Sequence, residues 1–346
     1  MKILSMGLPA LLVLTLFACS DADDERADPN PSQEADPEPE ATPEPSADPE
    51  PTPEATPEAN PEPEATPEPE PPLIEPLDFA AIGPVTLIRG GFGFTEGPAW
   101  DRASNRLLFS DIDGDTIHSY TAPDTFGVFL QPSGQCNGLA FDPEGRLLIA
   151  GHLSRNVTRT DLEGNAEILA DNFEGQAFNS PNDIVARADG TIYFTDPLIV
   201  RNIEPELDFE GLFRIDPQGN LHLELAQTDS PNGVILSPDG TVLYVTYTFI
   251  RELRAYDVAP DGRLSGERVI ARPTIGDGLA VDRAGYLYVT TGLGIVVYSP
   301  DGAEQGTIPV PEIPANCTFG GPLGDTLFIT ARKGLYQIAE MPIPGF

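Results

Sequence analysis

The chain has 346 residues, of which 55 are acidic and 19 are basic, so its formal net charge is −36. This balance argues against a nucleic-acid partner, whose phosphates need clustered Lys and Arg, and against electrostatic docking on anionic lipid. The charge is unevenly spread, because 19 acidic residues and only one basic residue, Arg26, lie between Asp21 and Glu75.

Residues 1–18 are predicted to be a lipoprotein signal peptide. Lys2 supplies a positive start, and the apolar run that ends at Phe17 is too short to span a membrane comfortably. Residues 16–19 (LFAC) resemble the lipobox of bacterial lipoproteins, although Phe17 is bulkier than the usual residue there. Cleavage before Cys19 would leave a lipid-anchored protein in the bacterial cell envelope, on the periplasmic side or at the cell surface. The alternative is an ordinary signal peptide with an incidental cysteine.

Residues 19–77 are predicted to form an acidic, proline-rich, disordered tether. Imperfect repeats of the type PEATPE fill this segment, and it contains very few large apolar residues. Such a composition buries too little apolar surface to offset the entropy cost of ordering the chain. Proline and like charges both extend the backbone, so we assign the segment a spacing role and no chemistry.

Residues 78–346 are predicted to be an all-β, six-bladed β-propeller. One element recurs six times: a small polar or acidic residue, an apolar alternating run, a turn, and a second strand rich in aromatic residues. The copies begin at Glu96, Asn137, Asn182, Asn232, Asp277 and Asn316. Two further strands follow most copies, and four short strands in about 40 to 45 residues are typical of a propeller blade. A β-sandwich with coincidental spacing is the alternative.

The two ends of this domain are expected to meet in the sixth blade. Its last copy lacks a fourth strand, and residues 84–88 ahead of the first copy are free to supply it, which would also remove an exposed sheet edge. Apart from Cys19, only Cys136 and Cys317 remain, too few for a disulfide framework. Their placement in different blades disfavours a disulfide between them without excluding it. We expect a monomer.

The six residues that open the copies are expected to lie on one rim of the central axis, because the innermost strand of every blade runs beside it. Each carries a side-chain oxygen and none is Cys or His, which disfavours a zinc site built from nitrogen and sulfur. Two carboxylates with several amides suit calcium best. Asn-Gly and Asp-Gly are also common turn dipeptides, and any single copy could serve only that purpose. Glu96 is not a turn residue, and a buried carboxylate needs a partner or a metal.

Five motifs in this order resemble the family of senescence marker protein, gluconolactonase and luciferin-regenerating enzyme, which are six-bladed, regucalcin-like propellers. They are residues 95–100 (TEGPAW), 179–183 (NSPND) with 193–197 (YFTDP), 230–233 (SPNG), 277–282 (DGLAVD) and 316–321 (NCTFGG). The resemblance implies a metal-dependent hydrolase that opens lactones. It implies metal ligands at Glu96, Asn182, Asn232 and Asp277, with Ca²⁺ bound and Mg²⁺, Mn²⁺ or Zn²⁺ as substitutes.

Asp277 is the expected catalytic carboxylate, either as general base toward water or as direct nucleophile. Asn137, His152 and Asn316 are expected to bind substrate, and His152 could instead be a structural or solvated histidine. The chain departs from the family where Gly276 replaces the usual proline before the aspartate, and in the loop that begins at Leu198. Two alternative functions are a non-catalytic propeller tethered to bind an envelope glycan or a protein, and hydrolysis of phosphotriesters or other esters at the same site.

Overall fold

The computed structural model describes residues 76–161, 165–199, 204–227, 229–273 and 275–345. The predicted signal peptide, the lipidation site at Cys19 and nearly all of the predicted tether lie outside these ranges. Within them, no helix has the length and apolar character needed to cross a membrane. A short 3₁₀ helix, Phe79–Ala81, begins the described chain, and the Asp78 carboxylate caps it by accepting a hydrogen bond from the Ala80 N–H.

The described chain forms six four-stranded antiparallel sheets, and in five of them each strand pairs with the next along the chain. Blade 1 comprises β2 (Thr95–Asp101), β3 (Arg106–Asp111), β4 (Thr116–Thr121) and β5 (Thr125–Leu130). Blade 2 comprises β6 (Leu139–Phe141), β7 (Leu147–Gly151), β8 (Asn156–Thr160) and β9 (Ala166–Ala170). A small hairpin of β10 (Asn172–Phe173) and β11 (Gln176–Ala177) connects blade 2 to blade 3. Blade 3 comprises β12 (Ile184–Ala186), β13 (Ile192–Asp196), β14 (Glu210–Ile215) and β15 (Leu221–Gln227).

The remaining three blades repeat this arrangement. Blade 4 comprises β16 (Pro231–Leu236), β17 (Val242–Tyr247), β18 (Glu252–Val258) and β19 (Leu264–Ala271). Blade 5 comprises β20 (Gly276–Val281), β21 (Leu287–Thr291), β22 (Gly294–Tyr298) and β23 (Glu304–Ile308). Blade 6 comprises β24 (Pro314–Gly320), β25 (Thr326–Ala331), β26 (Gly334–Ile338) and the N-terminal β1 (Thr86–Gly90). The predicted six-bladed propeller is therefore confirmed.

The closure of blade 6 by the N-terminal strand is also confirmed. Strand β1 pairs antiparallel with β26, and Thr86 lies opposite Gln337. The paired strand begins two residues later than the sequence pattern predicts, after Pro84, which has no N–H to donate. The entering chain is further held where the Leu77 N–H donates to the Tyr286 hydroxyl at 3.0 Å.

The hydrophobic core is divided among the gaps between blades, with one cluster of buried side chains between each pair of neighbours. Alternation along the second strands produces this division. Leu107 and Phe109 face blade 6, whereas Leu108 between them faces blade 2. Cys136 lies in the cluster between blades 1 and 2, and Cys317 lies in the cluster between blades 5 and 6. Both thiols are free, and the two do not form a disulfide.

The first strands of the six blades contact one another in a closed ring, in the order β2, β6, β12, β16, β20 and β24. We call the end of this ring at which the first strands begin the mouth face. Successive strands of a blade run in opposite directions, so the turns between second and third strands and the connections between blades also lie on the mouth face. The turns between first and second strands lie on the opposite face.

Candidate functional site

The structure places all six residues that open the repeats at the mouth-face end of the first strands. Five of them are buried, and Asp277 is half-buried. The buried five are Glu96, Asn137, Asn182, Asn232 and Asn316. Buried carboxylate and amide side chains require hydrogen-bond or charge partners. The groups around this ring therefore determine which ligands it could bind.

Hydroxyl groups of the second strands fix the height of these residues on the axis. The side chain of Ser110 in blade 1 donates to the carbonyl oxygen of Asn137 in blade 2 at 2.8 Å. In the same way Thr195 donates to Asn232 and Thr246 donates to Asp277, each at 2.6 Å. Each bond links a blade to the next one, so the main chain of a site residue is positioned by its neighbouring blade.

Glycine follows four of the six site residues because the ring is too crowded for a side chain there. A Cβ at Gly97 would lie 2.0 Å from the carbonyl oxygen of Asn137, and φ at Gly97 is +37°. A Cβ at Gly278 would lie 2.1 Å from the Asn316 side chain. The Asn-Gly and Asp-Gly dipeptides therefore allow close approach of neighbouring first strands, in addition to any turn they shape.

Glu96 and Asp277 form the electrostatic centre of the ring. Burial raises the pKa of Glu96 well above its usual value, and repulsion from Asp277 raises it further. Burial likewise raises the pKa of Asp277 to about 7, while a hydrogen bond from Asn232 opposes this shift. The Gly97 N–H donates to Glu96 Oε2 at 3.1 Å. Two carboxyl groups from blades 1 and 5 thus influence each other across the axis.

Asp183 is a third carboxylate of the ring that the sequence reasoning did not select. Its Oδ1 accepts the Ile184 N–H at 2.9 Å, and its Oδ2 accepts the Val234 N–H of blade 4 at 3.1 Å. Burial raises its pKa to about 6, and its charge contributes to the raised pKa values of Glu96 and Asp277. The signal was present in the repeat, since Asp183 occupies the position at which four other copies have glycine.

The amide side chains of Asn316 and Asn232 form hydrogen bonds with these carboxylates. The Asn316 amide is hydrogen-bonded to both Glu96 and Asp183 and lowers the pKa of each. Asn232 Nδ2 also donates to Thr248 Oγ1 at 2.9 Å. The structure therefore brings the predicted residues Glu96, Asn232, Asp277 and Asn316 into one interacting group.

Asn137 and Asn182 join the ring through their main chains. Asn182 donates its N–H to the Thr195 carbonyl at 2.8 Å and accepts the Gly138 N–H at 2.7 Å. Asn137 donates its N–H to the Ala150 carbonyl at 2.9 Å. Their positions match those of the other site residues, and their predicted roles in metal and substrate binding remain predictions.

His152 lies on the mouth face, in the turn between β7 and β8, beside the main chain of Ser180 and Pro181. Burial lowers its pKa, so the imidazole is neutral at pH 7. Its Nδ1 atom is buried and has no hydrogen-bond partner among the described residues. A buried nitrogen without a partner is costly, and a bound ligand could satisfy it.

Arg332 is a second mouth-face residue that the sequence reasoning missed. It lies exposed in the turn between β25 and β26, where its carbonyl oxygen accepts the Thr95 N–H at 2.7 Å. Its positive charge lowers the pKa of Asp277. No repeat signal marks it, because the turns between second and third strands vary from blade to blade.

The donor set fits a hard divalent cation. Across the described ranges, no three His, Cys, Asp or Glu side chains are grouped so that they could hold a metal. An ion here would therefore rely on Asn amide oxygens together with the carboxylates, which is an arrangement that calcium accepts. The raised pKa values of Glu96 and Asp277 show that their charge is poorly compensated by the protein alone, and a cation would compensate it.

A cavity of about 510 Å³ lies along the axis and is lined by first-strand residues of all six blades. It extends to turns of the opposite face, such as Arg102 and Pro143, and its wall includes Asp183 and Asn316. Glu96 and Asp277 do not line it. The cavity therefore approaches the site from the face opposite the mouth, and most of its lining is apolar.

Comparison with known proteins identifies relatives of this chain. Residues 94–333 match the SMP-30/Gluconolactonase/LRE-like region. Gluconolactonase of Zymomonas mobilis subsp. mobilis is 31% identical over 289 residues, covering 74% of this chain and 81% of that protein. Pentonolactonase of Haloferax volcanii is 28% identical over 262 residues, covering 69% and 81%.

Two solved structures are similar to this chain, one in sequence and fold and the other in fold alone. A gluconolactonase from Xanthomonas campestris is 34% identical, with a TM-score of 0.71 over 75% of this chain and 89% of that one. Regucalcin from Agrobacterium tumefaciens has a TM-score of 0.66 at 21% identity, over 76% and 95% of the two chains, and shows the fold alone. The resemblance drawn from the sequence motifs is confirmed: the chain belongs to the SMP-30/gluconolactonase/LRE-like family.

Proposed function

We propose that this protein is a metal-dependent hydrolase that opens lactones, with calcium as the metal. The observation that carries the proposal is the interacting group of Glu96, Asn232, Asp277 and Asn316 at the mouth of the propeller. Relatives that match most of their own length to this chain are named gluconolactonase and pentonolactonase. Because the same fold serves other functions, the proposed activity rests on the site and the relatives together and not on the propeller fold alone.

Glu96, Asn232 and Asp277 would hold the cation, with Asn182 as a fourth ligand. When bound, the metal would polarise the lactone carbonyl and stabilise negative charge on its oxygen. Magnesium, manganese or zinc could substitute for calcium, although the oxygen donors favour the harder cations. The side chains of Asn137, His152 and Asn316 would contact the substrate on the mouth face.

Asp277 would act on the reacting atoms. As a general base it would take a proton from water while the water oxygen bonds to the carbonyl carbon. The acyl–oxygen bond of the ring then breaks, and the ring oxygen receives a proton to become the hydroxyl of a hydroxy acid. As a nucleophile, Asp277 would instead form an acyl intermediate that water hydrolyses to the same product. Both routes consume one water and release one proton at neutral pH.

The test is hydrolysis of a lactone panel by the full chain. Proton release would be followed with a pH indicator on sugar, alkyl and aromatic lactones, first with EDTA and then with calcium added back. We expect activity that chelation abolishes and calcium restores. Inactivity toward every lactone in excess calcium would overturn the proposal.

We further propose that the protein is displayed on the bacterial cell envelope through lipid on Cys19. The proposal rests on the lipobox-like residues 16–19 and on the extended composition of residues 19–77. Radiolabelled palmitate should label the wild-type protein in a bacterial host and should not label Cys19→Ser. Equal labelling of the two would show that the lipid is elsewhere or absent.

A further inference from the structure

The large apolar side chains that are exposed in the described chain are concentrated on the mouth face. Seven of them lie there, in turns between second and third strands or in connections between blades: Leu153, Leu198, Phe249, Ile250, Ile275, Leu293 and Ile313. Four others lie on outermost strands: Leu87, Val128, Ile168 and Val269. Among the described residues of the opposite face, Leu323 is the only such side chain, and the turns there include residues 238–240 (PDG) and 260–262 (PDG). Scattered exposed apolar residues are normal, but a grouping on one face of a domain is not.

Four of the seven are held around a single residue, Gly276. The Thr248 hydroxyl donates to the Gly276 carbonyl at 2.8 Å, which brings the turn containing Phe249 and Ile250 against the start of β20. Ile275 directly precedes Gly276. Leu293 lies two residues beyond Thr291, which pairs with Gly276 across β20 and β21. We call Phe249, Ile250, Ile275 and Leu293 the apolar rim.

The apolar rim adjoins the catalytic carboxylate. Gly276 is followed by Asp277, and Thr248 also accepts the hydrogen bond from Asn232 Nδ2. Phe249 is 68% exposed and Leu293 is 67% exposed, so neither side chain is part of the hydrophobic core. A lactone whose carbonyl lies at Asp277 would have its substituent beside these side chains.

Ile275 adopts a strained backbone conformation while its side chain remains partly exposed. Its φ is +138°, a conformation that is rare for a β-branched residue, and its side chain is 45% exposed. Glycine would adopt this φ without strain. Strained backbone is typically found at functional sites, and here it presents an apolar side chain two residues before Asp277.

A polyhydroxylated substrate would gain little from this surface. Recognition of hydroxyl groups depends on well-placed polar groups, and the four side chains of the apolar rim offer no hydrogen bond. An aliphatic or aromatic substituent would cover them and remove apolar area from water on both partners.

We propose that the apolar rim binds the substituent of the substrate, so that the enzyme acts on lactones carrying an aliphatic or aromatic side chain in preference to sugar lactones. This inference rests on the proposed lactone hydrolysis. Removal of each methylene from water is worth about 0.8 kcal/mol, which corresponds to a threefold to fourfold increase in kcat/KM for each added carbon until the rim is covered.

The experiment measures kcat/KM of the full chain with calcium on γ-lactones that carry unbranched substituents of zero, two, four and six carbons, and on glucono-δ-lactone. The expected result is a stepwise rise with chain length and a higher value for the longest alkyl lactone than for the sugar lactone. A flat or falling series overturns the inference while the proposed function stands. Hydrolysis of no lactone overturns both.

Variants assign the chain-length effect to the rim. In Phe249→Ser combined with Leu293→Ser, the ratio of kcat/KM between the six-carbon and unsubstituted lactones should fall at least tenfold. The matched control Leu323→Ser, on the opposite face, should keep the wild-type ratio. An unchanged ratio in the double variant would overturn the assignment.

Ile275→Gly separates a binding role from a structural one. Because glycine relieves the φ strain, the melting temperature should rise while the chain-length ratio falls. A lower melting temperature with an unchanged ratio would make Ile275 a structural residue and would contradict the proposal. Binding of the wild-type protein and the double variant to lipid vesicles tests a different role for the apolar rim. If the double variant loses vesicle binding while the wild type shows no chain-length effect, the rim contacts a lipid surface and the proposal is overturned.

Discussion

Asn232 Nδ2 donates a hydrogen bond to Thr248 Oγ1 at 2.9 Å, and the Thr248 hydroxyl in turn donates to the Gly276 carbonyl at 2.8 Å. Through this hydroxyl, a proposed metal ligand of blade 4 is tied to the strand of blade 5 that carries Asp277. The hydrogen bond between Asn232 and Thr248 also fixes the orientation of the Asn232 amide, because the amide nitrogen faces Thr248. Its oxygen is then the atom available to a cation.

Thr248→Val should weaken calcium binding about 10-fold to 100-fold, since partners that orient a ligand typically contribute that much to metal affinity. Isothermal titration calorimetry on the metal-free protein measures the change. Thr241→Val is the matched control, because Thr241 makes its side-chain bond to Asp239 in an exposed turn of the opposite face. Equal affinities in the two variants would show that Thr248 does not orient a ligand.

Asp277→Asn should lower kcat for lactone hydrolysis by about 10²-fold to 10⁴-fold, because amide nitrogen and oxygen can neither take up the proton nor attack the carbonyl carbon. Asp261→Asn, on an exposed turn of the opposite face, is the control and should retain wild-type activity. If Asp277→Asn turned over lactones at the wild-type rate, the catalytic carboxylate would have to be sought elsewhere in the ring.

The metal-free protein should lose stability as the pH rises, through the ring carboxylates. The unfolded pKa of an aspartate is near 3.8, whereas in the folded protein it is about 6 for Asp183 and about 7 for Asp277. Between these values the folded state binds more protons than the unfolded state. The free energy of unfolding therefore falls by about 1.4 kcal/mol per pH unit for each proton.

Urea unfolding in EDTA at pH 5 and pH 7.5 tests this dependence. Asp277→Asn removes one titrating group, so its free energy of unfolding should fall less than that of wild type over the same interval. Calcium should restore stability at pH 7.5, because it binds only the folded state. A steeper fall in the variant than in wild type would contradict the assignment.

His152→Ala should raise KM for lactones severalfold without changing calcium affinity, because the unpartnered Nδ1 is then no longer available to the substrate. His222→Ala is the control, since His222 makes its side-chain contact with Asp216, away from the mouth face. Unaltered lactone kinetics in His152→Ala would make His152 a structural residue.

The period of the repeat was sufficient to predict the propeller, its six blades and its closure. These features follow from alternation along short strands and from the need of each sheet to bury both faces against its neighbours, which local sequence encodes. The oxygen-bearing residue that opens each copy could be found for the same reason, because equivalent positions in a cyclic repeat meet at one axis.

Other features depend on contacts between residues far apart in the chain. Asp183 is held in the ring by a hydrogen bond from the Val234 N–H of the next blade. Thr248 is held there by its hydrogen bonds with the Asn232 side chain and the Gly276 carbonyl. Arg332 acts on Asp277 from a turn in a different blade. The exposure of Phe249 and Leu293 likewise depends on the mouth-face turns in which the folded chain places them.

The amino-acid sequence by itself thus determined the architecture and the donor atoms of the ring, because both repeat with a regular period. Only the tertiary structure decided the pKa of each carboxylate, the orientation of the Asn232 amide and the grouping of exposed apolar side chains on the mouth face. These depend on burial and on the distances between side chains of different blades, and the ring brings together residues of successive blades that lie 39 to 50 positions apart in the chain.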